Sequence, residues 1–185
     1  MKNLSEGKKN YLRISAVVLF ILSFAVLGTV SIVRPEYVTA QSQVSDSQAL
    51  IFVNKERSNL GLEALKENEL LDKAAKDKAE DMINSNYFEH TSPTGKKAWD
   101  FILAENYDYA KAGENLSIDY KKLADAQEAW MASPTHKTNI LSDEYKEFGF
   151  GSANGSINGK ETTVYVQLFG IKRSIYDRML TNVIN

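Results

Sequence analysis

The hydrophobic period of this chain changes once, and that change restricts the fold more than any other feature. Up to about residue 141 the apolar side chains recur at three- and four-residue intervals; from Phe148 onward they alternate. Leu70, Leu71, Ala74, Ala75, Ala79, Met82 and Ile83 make one stripe, and Lys, Glu and Asp fill the opposite face. This predicts an amphipathic helix from about Glu67 to Asn86. Leu50, Ile51, Val53 and Leu60 predict an earlier helix from Ser47, with Gly61 as its stop. Trp99, Phe101, Ile102 and Leu103 place a short helix over Ala98 to Asn106. Leu123, Ala126, Trp130 and Met131 place another over Lys122 to Ala132, with Ser133-Pro134 as its break and a short helix over Thr135 to Leu141.

In the last third, Phe148 and Phe150 alternate with Gly149 and Gly151. Val164, Val166 and Leu168 alternate with Tyr165, Gln167 and Phe169. Asn158-Gly159 lies between these runs and reads as a hairpin turn within a connection of about eight residues. Gly113 to Ile118 reads as a brief strand or extended loop. Helices followed by an antiparallel hairpin define an α+β domain built in layers.

Upstream of this domain, Ile14 to Val33 is twenty residues without a charge. At about 1.5 Å per residue it reaches roughly 30 Å, the thickness of a bilayer's hydrocarbon core. Lys2, Lys8, Lys9 and Arg13 precede it, so residues 1–13 are expected to stay cytoplasmic and the remainder to cross. The segment reads either as a single-pass anchor or as a signal peptide cut after Val38-Thr39-Ala40. Residues 34–46 read as a polar linker, 47–170 as the domain and 171–185 as a tail able to form a last helix. There is no cysteine, so the domain must fold without disulfides and without thiol chemistry. Five of the 22 Lys and Arg and two of the 24 Asp and Glu precede Gln41, which leaves the rest acidic by five. That balance opposes a nucleic-acid partner.

The chain holds two histidines, His90 in Phe88-Glu89-His90-Thr91-Ser92-Pro93 and His136 in Ser133-Pro134-Thr135-His136. Between them stands Ala112-Gly113-Glu114-Asn115-Leu116. Two imidazoles and a carboxylate on separate loop-like phrases suit metal binding or proton transfer if they converge. Two neutral imidazoles can hold Zn²⁺ and leave positions for water, although no His-Glu-x-x-His helix is present. A Ser92-His90-Glu114 hydrolase is disfavoured, because no Gly-x-Ser-x-Gly phrase exists. Ser92 and Ser133 read as turn and cap hydroxyls, Asn115 and Asn139 as amides that fix loops, and Trp99 and Trp130 as core or cleft-wall residues.

These phrases, in this order from about Leu50 to Gly170, resemble the CAP superfamily of cysteine-rich secretory proteins, antigen 5 and pathogenesis-related proteins. The likeness is to its bacterial SCP-domain branch. It rests on Val53-Asn54-Lys55-Glu56-Arg57, the His90 phrase, Ala112 to Leu116, Trp130 to Leu141, Phe148 to Gly151 and Gln167 to Gly170. The resemblance implies a three-layer α-β-α sandwich and a shallow cleft with two histidines and two glutamates, which in some members binds a divalent metal. His90 matches the first histidine and Glu114 the first glutamate. Ser133 and Val164 stand where the eukaryotic pattern has its second glutamate and histidine. His136 matches the Ser-Pro-x-His phrase of bacterial relatives, and Glu147 is a candidate for the compensating carboxylate. The expected cleft is therefore His90, Glu114, His136, Ser92 and Asn115. The expected role is a cell-surface binding or scaffolding module for a lipid, peptide or cell-wall ligand. The alternative is a metal-dependent hydrolase of peptides or cell-wall material, with Glu114 as base.

Overall fold

The structure, a computed structural model, describes residues 35–175, with side chains from Ser47 onward. The candidate membrane segment 14–33 and most of the tail lie outside the described residues. Among the described residues no helix is long and apolar enough to cross a membrane. The helices are α1 (Pro35–Ser58), α2 (Glu69–Asn84), α3 (Ala98–Ala104), α4 (Leu123–Ala132) and α5 (Pro134–Leu141). The strands are β1 (Lys66–Glu67), β2 (Tyr109–Ile118), β3 (Glu147–Ile157) and β4 (Lys160–Lys172). They form one mixed sheet in the order β1-β3-β4-β2, antiparallel except for the two-residue β1 beside β3.

Four differences from the sequence reading have local causes. Helix α1 already begins at Pro35, a residue suited to a first helical turn, so the stretch expected as linker is helical. Strand β2 starts at Tyr109 rather than Gly113, its early register carried past a shift between Tyr109 and Lys111. The hairpin connection shrinks from eight residues to two. Asn158 and Gly159 both take positive φ, 53° and 76°, the conformation a tight two-residue hairpin needs. Ile171 and Lys172, expected in the tail, end β4.

Alternation along the strands separates two cores, one on each face of the sheet. Val164, Val166 and Leu168 pack with Leu116 against Leu71, Ala75 and Met82 of α2 and Phe101 and Ile102 of α3. Tyr165 and Phe169 turn the other way, joining Phe148 and Phe150 against Val53 of α1, Trp130 of α4 and Ile140 of α5. The rings interlock there, with Phe148 edge-on to Phe169 at 5.4 Å and Phe150 stacked on Tyr165 at 5.9 Å. On the opposite face of β3, Gly149 and Gly151 lie under the α2 backbone. A methyl at either position would fall far inside contact distance of helix backbone atoms, at Leu71 and Asp72 for Gly149 and at Ala75 and Lys76 for Gly151. The Phe-Gly-Phe-Gly phrase therefore supplies bulk to one core and close approach to the other.

Both ends of α2 are set by side chains or by turn geometry. Asn68 accepts from the N–H groups of Leu70 and Leu71 at its start. At its end Asn86 adopts φ 54° and the Tyr87 N–H returns to the Met82 carbonyl at 3.0 Å. That left-handed residue reverses the chain and launches the segment carrying His90.

Two cations on the helix stripes are fully buried, against the expectation that charge lies outside. Arg57 continues the Ala49, Val53 stripe of α1 and donates to the carbonyls of Glu63, Ile140 and Ser142. Lys78 continues the Leu71, Ala74 stripe of α2, and its Nζ reaches Tyr87 Oη and the carbonyls of Glu89 and His90. A buried ammonium is tolerable when its protons are matched in this way.

Candidate functional site

β2 is an outer strand of the sheet, and helices of both faces approach it. Its residues alternate accordingly. Glu114, opposite Leu168, looks toward the α2 and α3 face, whereas Asn115, opposite Gln167, looks toward α4 and α5. The outward carbonyls of Glu114 and Leu116 do not stay bare. Asn139 of α5 donates to the first at 3.0 Å and Trp130 of α4 to the second at 2.9 Å. Behind them runs a ladder of buried amides. Asn115 donates to Gln167 and to the His136 carbonyl, Asn139 to Asn115, and Gln167 to Gln127. Asn115 and Asn139 thus tie α5 to β2, the amide role their sequence context suggests.

Along this edge opens a cleft of about 360 Å³, walled by His90 and Thr91, by Lys97, Ala98 and Trp99 at the start of α3, by Ala112 to Glu114, and by Asn139 and Tyr145. A methyl at Gly113 would press on the Tyr145 hydroxyl, which would have to shift to admit it. Its central contact joins His90 Nδ1 to Glu114 Oε2 at 2.5 Å. The pair is asymmetric. The Glu114 side chain is 4% exposed and the His90 side chain 65%. The second oxygen, Glu114 Oε1, is buried without a hydrogen-bond partner among the described residues.

The segment holding His90 is pinned from below and braced from within. Lys78 supplies the pins at the Glu89 and His90 carbonyls. Ser92 Oγ bonds to Thr94 Oγ1 and accepts from the Lys96 N–H, closing a turn at Gly95. Ser92 is therefore a turn hydroxyl and makes no bond to His90, and the hydrolase triad considered above is not assembled.

The hydrogen bond to Glu114 raises the His90 pKa above its ordinary 6.5, against burial and the nearby Lys78 ammonium, which lower it. Burial and then the charge on His90 hold His136 below that value. The two imidazoles thus titrate apart, His90 first as pH falls. Because the His90 pKa is raised on folding, the stability it contributes is complete below about 6.5 and fades as pH climbs through the raised value. Thermal melts of the native chain and His90→Gln between about pH 6 and pH 9 are expected to show their gap narrowing as pH rises. A gap that widens over that range would contradict the pairing.

The remaining candidates are placed as follows. His136 lies on α5 close enough to feel the His90 charge, with its carbonyl held by Asn115, but it is not part of the cleft wall. Asn115 is buried behind the wall. Glu147 is elsewhere. Its register opposite Gly170 sets it among Asn68 and Tyr107, which donate to it at 2.8 and 2.7 Å, and Lys172. It anchors Tyr107, whose phenol is pushed up by burial and by this bond.

In this arrangement the two candidate ligands that meet are bonded to each other. Two donors on one tetrahedral Zn²⁺ lie roughly 3.3 Å apart for bonds near 2.0–2.1 Å. His90 Nδ1 and Glu114 Oε2 are at 2.5 Å and bonded to each other. Among the described residues no three His, Asp or Glu side chains gather around a common point. Sequence reasoning overlooked Lys78, Lys97 and Tyr145. Lys78 carried a signal in its place on the apolar stripe, between Ala74 and Met82, whereas Tyr145 sits among charged neighbours and carried none.

An α+β domain of this kind, with helices on both faces of the sheet, has the fold of SCP-like domains. Residues 50–169 match the Cysteine-rich secretory protein family (CAP), and the chain belongs to that family although it has no cysteine. It is 36% identical over 122 residues to the uncharacterized protein YkwD of Bacillus subtilis (strain 168), covering 64% of this chain and 48% of that protein. It is 27% identical over 153 residues to the uncharacterized membrane protein YlbC of the same organism, covering 79% and 44%. The chain thus spans less than half the length of these two relatives. Among solved structures, an extracellular protein containing an SCP domain from Bacillus anthracis str. Ames superposes with a TM-score of 0.62 at 26% identity, over 70% of this chain and 41% of that one. An outer surface protein from Borrelia burgdorferi shares the fold, with a TM-score of 0.57 at 21% identity over 68% and 92%.

Proposed function

We propose that this chain is an exported cell-surface module, anchored through residues 14–33 or released after Ala40, whose cleft binds an envelope ligand without transforming it. The observation that carries this reading is the state of Glu114. One of its oxygens is bonded to His90 and the other is a buried acceptor with no donor among the described residues. A buried carboxylate oxygen left unpaired is costly, and a ligand N–H or O–H would recover that cost. The Ser92 hydroxyl, two residues from His90, is engaged with Thr94 and the Lys96 N–H, which favours binding over a Ser92-based turnover. The extracellular Bacillus anthracis protein and the membrane protein YlbC support a surface location.

The ligand class is peptide, lipid or cell-wall fragment. The full chain is expected to be retained on isolated bacterial envelope material, with retention at least about fivefold weaker for Glu114→Ala and no fragments released over hours. Metal-dependent release of peptide or glycan, lost in His90→Ala, would instead establish the hydrolase. That outcome would go with stoichiometric Zn²⁺ uptake in calorimetry, abolished when both histidines are replaced.

A further inference from the structure

The cations around the cleft differ in what they are already bound to. Lys78 is buried with its protons matched. Lys96 stands 3.7 Å over the Phe101 ring, and Lys111 pairs with Glu144. Lys97 lines the cleft, is exposed, and its ammonium has no hydrogen-bond, ion-pair or ring partner among the described residues. The acid in that wall is Glu114, with its Oε2 bonded to His90 and its Oε1 buried without a partner among the described residues. Apolar surface from Ala98, Trp99 and Ala112 adjoins them.

One small cleft therefore carries both an acceptor without a donor and an exposed cation without an acidic partner among the described residues. We propose that the cleft receives the carboxylate terminus of a peptide. The terminal amide N–H donates to Glu114 Oε1, the free carboxylate meets Lys97 Nζ, and a small side chain rests on Trp99. This rests on the ligand-binding reading above and adds the chemical class of the ligand. A halide or sulfate would bring no donor for Glu114 Oε1. A neutral sugar would leave Lys97 idle. Past Gln41 the chain is acidic by five, so its overall field does not draw anions in; the attraction has to be local.

The test uses the full chain and three probes, N-acetyl-alanyl-alanine as the free acid, its C-terminal amide, and the free acid methylated on the terminal amide nitrogen. Titration followed by NMR or calorimetry is expected to show the free acid binding about tenfold tighter than either analogue. Lys97→Gln should erase the preference over the amide while preserving the preference over the N-methylated acid. Equal binding of acid and amide, no binding of the acid at millimolar concentration, or inorganic phosphate competing as well as the acid would each overturn the proposal. If envelope retention persists while Lys97→Gln and amidation make no difference, the ligand class falls and the surface-binding reading stands. If the free acid binds as described but envelope material is not retained, the reverse holds.

Discussion

Gly151→Ala is expected to lower stability by about 3 kcal/mol or more in urea denaturation. The added methyl would collide with the backbone of α2 at Ala75 and Lys76, and neither a rotamer change nor a side-chain shift can relieve that. The helix would have to lift from the sheet and lose contact with Val166 and Leu168 beneath it. Gly155→Ala provides the control on the same strand. There the added methyl meets only the side chain of Ile83, which is partly exposed and can turn aside, so a loss nearer about 1 kcal/mol is expected. Equal losses at the two positions would show that helix–sheet spacing is not what the glycine protects.

Lys78→Met carries the second large effect. The thioether fills the volume of the stem but donates to nothing, leaving the carbonyls of Glu89 and His90 to find other partners while the Tyr87 hydroxyl keeps its bond to Asp81. Replacing a buried ion by an apolar chain can be neutral when its partners vanish with it. Here two of the partners are backbone carbonyls and all of them remain, so the unpaired groups decide the sign. A loss of about 2 kcal/mol is expected. Amide exchange should rise most at Ser92 and Gly95, whose N–H groups close the turn beside His90. Unchanged exchange there would remove Lys78 from its role in holding the cleft wall.

These two residues also mark where sequence reading succeeds and where it stops. The period switch made the main helices and the β3–β4 hairpin legible because burial on one face leaves a pattern in residue type. Strand β2 was legible only in its second half. Tyr109 to Gly113 are mostly small or polar residues held by strand pairing, and pairing leaves no hydrophobic alternation. The His90 and Glu114 phrases pointed to a contact that the fold makes directly. Glu147 was misplaced because its surroundings are set by register with Gly170 and by the distant Asn68 and Tyr107, none of which its own neighbours in sequence encode. Lys78 and Arg57 defeat a reading based on polarity, since each is buried through bonds to carbonyls that any sequence could supply.

The covered edge of the sheet has a consequence for how such a domain avoids aggregation. A strand with bare outward carbonyls is a template on which other chains polymerise. Here Asn139 and Trp130 occupy those of Glu114 and Leu116, and at the opposite margin β1 is only two residues long. The chain has no cysteine, so no disulfide holds the fold together whenever it opens. Each time it closes, Asn139 from the cleft wall and Trp130 from the core seal the margin against aggregation.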